Sequence, residues 1–183
     1  MKRVLWLIVA VTVAPVAKAA AQATPEAAAT AFGTAFAAGD WAGAARLMHP
    51  AALRQLRELF SLALTNDKLG EARQKLFGLQ SVAEATATPD TALFAAFLKN
   101  LMSRQPGFLE AMKTATITPI GHVQQGDTVL VVTRIGLKAG GVAMTQFDVM
   151  PFLRDGQVWR GALKADFTNM AAMLKSLVAP VGG

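Results

Sequence analysis

The chain has 183 residues, no cysteine, no tyrosine and a formal net charge of +6. That length fits one domain plus a targeting segment, and the missing cysteine excludes disulfides, thiol chemistry, thiolate zinc sites and a lipid anchor on cysteine. The basic residues are scattered rather than gathered in runs, which argues against a nucleic-acid partner.

The chain opens with a basic start, Lys2 and Arg3, followed by an uncharged apolar run from Val4 to Ala14 and by Pro15. Ala21-Gln22-Ala23 supplies the small-x-small pattern of a signal-peptidase site, so residues 1–23 are expected to be a cleaved signal peptide. The apolar run is too short to span a bilayer comfortably. The expectation is a periplasmic or secreted chain that starts at Thr24 and has no integral membrane span after cleavage. Lys2, Arg3 and Lys18 leave with that segment, which brings the formal charge to about +3.

Thr24-Pro25-Glu26 reads as a helix start: a capping hydroxyl, a proline in the first turn and a carboxylate at the positive end of the dipole. Phe32, Ala35 and Phe36 share a face of that helix. Gly39 stops it, and Asp40 caps a short helix from Trp41 to Met48. His49-Pro50 begins the next, in which Leu53, Leu56, Leu59, Phe60, Ala63 and Leu64 fall at helical spacing. Asn66 or Asp67 caps a further segment with Leu69, Ala72, Leu76 and Phe77, ended by Gly78. Ser81 to Thr88 reads as a loop. Thr88-Pro89-Asp90 opens a helix with Leu93, Phe94, Phe97, Leu98 and Leu101 on its apolar face, and Pro106-Gly107 ends it.

The sheet follows. Ile117–Gln124 is a strand weakened by Pro119 and Gly121, hence an edge. Gln125–Lys164 reads as a meander of three strands broken at Gly126-Asp127, Gly140-Gly141 and Asp155-Gly156. In the first of the three, Val129, Val131, Thr133, Ile135 and Leu137 share one face. In the second, Phe147, Val149 and Leu153 oppose Met144, Asp148, Met150 and Phe152, and Pro151 belongs at an edge position or a bulge. Asp166 caps a final helix carrying Phe167, Met170, Met173, Leu174 and Leu177, and residues 179–183 form a loose tail.

The segments TPEAAATAFGTAFAAGDWAGAARLMHPAAL, GDTVLVV and FLRDGQVWRGAL resemble the two ends of nuclear-transport-factor-2-like domains, the superfamily of ketosteroid-isomerase-like and SnoaL-type proteins. The resemblance implies an α+β fold: N-terminal helices on a curved antiparallel sheet, forming a cone with a pocket between them. The segment Leu53–Met112 then stands as inserted helices, and residues 24–178 form a single domain. Fold does not fix activity.

Chemistry is sparse. An isomerase of this kind uses an Asp base with a Tyr-containing oxyanion hole, and the chain has no tyrosine. The two histidines, His49 and His122, lie far apart and form no metal-spaced pair. No catalytic residue, metal site or cofactor is assigned. A small apolar ligand or lipid is expected near Phe36, Trp41, His49, Phe147, Asp148 and Trp159, between the first helices and the sheet. Each of these also has a plain structural reading. The aromatics fit a core, His49 fits a helix terminus, and Asp148 fits a solvent-facing or Arg134- or Arg160-paired acid. The competing functions are an isomerase, dehydratase or cyclase, and an association module forming a homodimer over its sheet face.

Overall fold

The computed structural model describes residues 22–139, 142–167, 169 and 172. It is an α+β chain: helices first, then one antiparallel sheet of four strands in the order β1-β2-β3-β4. The segment up to residue 21 expected to be a signal peptide, the turn expected at Gly140-Gly141 and most of the expected final helix lie outside the described residues. Among the described residues no helix is long and apolar enough to cross a membrane.

Helix α1 (Pro25–Ala37) starts as its sequence dictates, with the Thr24 hydroxyl accepting the Ala27 N–H at 3.1 Å. Glu26, in its first turn, pairs with His122, and that hydrogen bond holds the Glu26 carboxyl below its usual value. Helix α2 (Trp41–Arg46) is capped by Asp40, whose carboxylate accepts the Gly43 N–H at 2.7 Å. Helix α3 (Pro50–Leu59) begins at His49, whose Nδ1 accepts the Ala51 N–H at 3.1 Å. The apolar spacing from Leu53 to Leu64 continues through a break at Phe60 into α4 (Ser61–Thr65). A 3-10 turn (Asp67–Leu69), α5 (Gly70–Phe77), α6 (Val82–Ala87), α7 (Asp90–Met102) and α8 (Pro106–Lys113) complete the helical part.

Two local expectations give way here. Residues 82–87 are helical, not a loop. Ser81 caps them by accepting the Glu84 N–H at 3.1 Å, while the Glu84 carboxylate reaches back to the Gln80 N–H at 2.7 Å. This is the Ser-x-x-Glu reciprocity of a capping box displaced by one residue, and it outweighs a small, polar composition. Pro106 starts a helix as well as following one, because a proline in the first turn sacrifices only an N–H that has no helical partner.

The helices pack around a buried cluster that includes Leu56, Phe60, Phe77, Leu93, Phe94 and Phe97. Arg57 ties the α6–α7 corner by donating to the Ala85 carbonyl at 3.1 Å, to the Thr88 carbonyl and to Asp90. Arg73 is 2 % exposed and donates to the Asn66 and Gln80 carbonyls at 3.3 and 3.4 Å, fastening both ends of α5.

Strands β1 (Thr116–Gln125), β2 (Thr128–Ala139), β3 (Val142–Asp155) and β4 (Val158–Gly161) pair in sequence order. Strand β1 is an edge, with its register shift between Pro119 and Gly121. Pro151 sits opposite Leu130 in an unshifted register, so β3 has no bulge there. The Pro151 carbonyl accepts the Ala162 N–H at 2.8 Å, just past the end of β4. In an antiparallel ladder a residue's N–H and C=O point to the same side, so the missing N–H faces that unpaired side and takes no bond from β2.

The last hairpin turns at Gly156-Gln157, one residue later than expected, because Asp155 pairs with Val158. Gly156 has φ +60° and no non-glycine residue among those described has positive φ, which fits a II′ turn and excludes I′. The space around a Gly156 Cβ is open. The cost of substitution is therefore backbone strain alone, and Gly156→Val is expected to lose about 1–2 kcal/mol in chemical denaturation. An unchanged midpoint would show that the turn relaxes freely.

The hinge between helices and sheet is a backbone lock. Gly161 N–H donates to the Leu47 carbonyl at 2.9 Å, and His49 N–H donates to the Gly161 carbonyl at 2.8 Å. Arg160 joins them by donating to the Arg46 carbonyl and to Asp155, both at 2.6 Å. Gln22 extends the edge of β4. Its carbonyl accepts the Trp159 N–H at 2.9 Å, and its side-chain amide donates to the Trp159 carbonyl at 3.1 Å.

Candidate functional site

Strand alternation divides the sheet. Val129, Val131, Thr133, Ile135 and Leu137 of β2 meet Phe152, Met150, Asp148, Gln146 and Met144 of β3, pair by pair. This is the face toward the helices, where Val129, Val131, Leu137 and Phe152 are buried. At the β4 end, Ala28 and Ala29 of α1 are small enough to let the helix close on Val129, Val131 and Phe152. At the other end the phenylalanines of α1 hold helix and sheet apart. Gly33 offsets this locally by letting Ile117 approach, for a Cβ there would stand 2.8 Å from Ile117 Cδ1.

The result is a cavity of about 420 Å³ between α1, α7, α8 and the inner face of the sheet. Its wall is mainly apolar, with Phe32, Phe36, Leu98, Leu101, Met112 and Ile135 among its side chains. Its polar groups are Thr133, Gln146, Asp148, Lys164, Asp166 and Gln105. Thr133 is only 7 % exposed and is the cross-strand partner of Asp148. Lys164 returns from the end of β4 and pairs with Asp148; the two side chains are 29 % and 34 % exposed. Phe167 closes one side, its ring 5.7 Å from that of Phe97.

Of the residues picked out in the sequence, Phe36 and Asp148 line this cavity. Trp41 stands behind Phe36, edge-on at 5.3 Å, and opens on a shallow recess beside Lys99. His49 is a helix cap at the hinge. Trp159 packs near Ala28 and Val129 with Arg154 over its ring at 5.8 Å. Phe147 is 62 % exposed on the outer face. It precedes Asp148 in a strand, and neighbours in a strand cannot share a face. The partner of Asp148 is Lys164, not Arg134 or Arg160: Arg160 is engaged by Asp155. Sequence reasoning missed Lys164 and Gln146. Gln146 was within reach, because it shares the parity of Asp148.

Outside the cavity, the outer sheet face exposes Val123, Phe147 and Val149, with Ile120 at the bulge of β1. Among the described residues no three His, Asp or Glu side chains gather as a metal set. Comparisons with family models, with curated proteins and with solved structures find no significant match for this chain.

Proposed function

We propose that this chain is an exported domain, periplasmic or secreted, that binds one small apolar ligand in the cavity between its helices and its sheet. The reading includes a cone-shaped fold of the nuclear-transport-factor-2-like kind, supported by the helix-then-meander order. The observation that carries it is the cavity itself, about 420 Å³ with a mainly apolar wall and a few convergent polar groups. That combination is the usual form of a small-molecule site. At about 30 Å³ for a water-sized group, this volume suits on the order of 15 non-hydrogen atoms. A single chain or small ring system fits within it.

The test is titration with a neutral, apolar fluorescent dye, paired with thermal melting. Saturable binding is expected for the wild type. Ile135→Trp extends the inner wall into the empty space, so affinity is expected to fall about tenfold or more while the melting temperature is kept. Undiminished binding by a folded Ile135→Trp protein, or no saturable binding by the wild type, overturns the proposal. Leu101→Phe serves the same purpose from the helical side.

Export carries its own expectation. N-terminal sequencing from the host is expected to begin at Thr24 or within a few residues of it, and intact Met1 in the membrane fraction would defeat it. Cleavage after Ala23 removes the Gln22 bonds to Trp159.

A second reading is favoured by one observation. Val123, Phe147 and Val149 form an exposed apolar strip on the outer sheet face, a surface suited to association. Native mass spectrometry separates the two readings: a retained small molecule supports the cavity, and a clean mass at twice the monomer supports a homodimer.

A further inference from the structure

The charges around the cavity point to the head group of its ligand, an inference that rests on reading the cavity as a ligand site. Three of its lining residues are charged: Asp148, Lys164 and Asp166. The Lys164 ammonium is already engaged by Asp148. Asp166 adds a second carboxylate and is exposed, and no other described residue forms a salt bridge with it. The remaining polar wall, Thr133, Gln146 and Gln105, is neutral. Nearby cations are turned elsewhere. Arg134 lies opposite Phe147 on the outer face. Lys99 opens on the recess beside Trp41. Lys113 is held by Glu110 at 2.6 Å.

The lining charge is therefore that of two carboxylates against one ammonium. A ligand carboxylate would meet Asp166 and would have to compete with Asp148 for Lys164. A ligand ammonium would bring the described lining to two charges of each sign. Partial exposure screens these interactions, but a charge a few ångströms from a carboxylate keeps its sign even in a water-like dielectric. The volume suits a single chain as the rest of the ligand. We propose that the cavity takes a single-chain amphiphile with a cationic amine head, the ammonium at the carboxylates of Asp148 and Asp166. Its tail lies among Phe32, Phe36, Leu98, Leu101 and Met112.

The test is displacement of a neutral naphthylamine dye from the full chain, at low salt. The competitors are dodecylamine and dodecanoate below their micellar concentrations and dodecanol below its solubility limit. They share one tail and differ in head charge. Dodecylamine is expected to displace the dye at a concentration about tenfold lower than dodecanoate, with dodecanol between them. Asp166→Asn is expected to narrow that gap. Asp148→Asn frees Lys164 and is expected to shift the preference toward dodecanoate. Dye that binds but yields equally or more readily to dodecanoate overturns the head-group assignment and leaves the apolar site standing. A gap unchanged in both variants also overturns it. A wild type that binds no dye at all removes the site itself.

Discussion

Phe97→Ala is expected to cost about 3–5 kcal/mol of folding stability. The ring is wholly buried on α7, where it meets Phe60 at 5.4 Å, Phe77 at 5.6 Å and Phe167 at 5.7 Å between centroids. These distances lie in the range where aromatic pairs add to simple burial. Its partners come from three separate stretches of chain, so no one segment can move in to close the gap left by truncation. For a domain of this size the loss lowers the melting temperature by about 10–15 °C. The measurement is urea denaturation followed by tryptophan fluorescence. A loss below about 1 kcal/mol would mean that the phenylalanine cluster repacks around alanine. Phe97→Leu keeps most of the volume and is expected to cost less than half as much, which separates lost packing from a general failure to fold.

That cluster shows what a sequence discloses readily. Leu93, Phe94, Phe97 and Leu98 announce a buried helix face because the helical period is local and its cost is met within one element. Thr24, Asp40 and Asp155-Gly156 are equally local, and each lies at or beside the boundary it was expected to mark. The candidate site behaves differently. Period two in β3 separates Phe147 from Asp148, but nothing in the strand says which face the helices cover. That choice belongs to the partner surfaces: Ala28 and Ala29 on α1 admit close approach only to the face of Val129 and Phe152. Aromatic content also misleads. Trp41 and Trp159 are conspicuous, yet one backs Phe36 and the other seals the β4 end of the sheet. Lys164 was invisible as a partner for Asp148, because their pairing depends on how the chain turns after Gly161.

The same turn is the subject of the second large effect. Gly161→Val is expected to destabilise the chain by about 3 kcal/mol and, at the proposed site, to weaken binding of the apolar dye together. Gly161 is the last residue of β4, and it is buried where α2 ends against the sheet. A Cβ there would stand 2.8 Å from Met48 Sδ and 2.8 Å from Met150 Cε. Met150 Cε is the end of a flexible side chain and Met48 Sδ lies one bond short of one, so a single methyl can be absorbed by rotation and Gly161→Ala is expected to be mild. Valine adds two more carbons, and Met48 is itself only 3 % exposed, with little room to withdraw. Met150 is half-buried and forms part of the cavity wall, so it has room to move that way. Displacing it there shortens the space open to the dye, so affinity is expected to fall in proportion to the crowding rather than to the loss of stability. Intrinsic preference works the other way, since a β-branched residue suits a strand better than glycine does. A valine variant that melts higher than the wild type would show that the close approach of Met48 and Met150 is absent. One that melts lower but binds the apolar dye normally would break the link between the hinge and the cavity. The informative companion is Gly161→Val combined with Met150→Ala, which removes the side chain driven inward. Recovery of binding without recovery of the melting temperature is expected, because the Met48 contact remains.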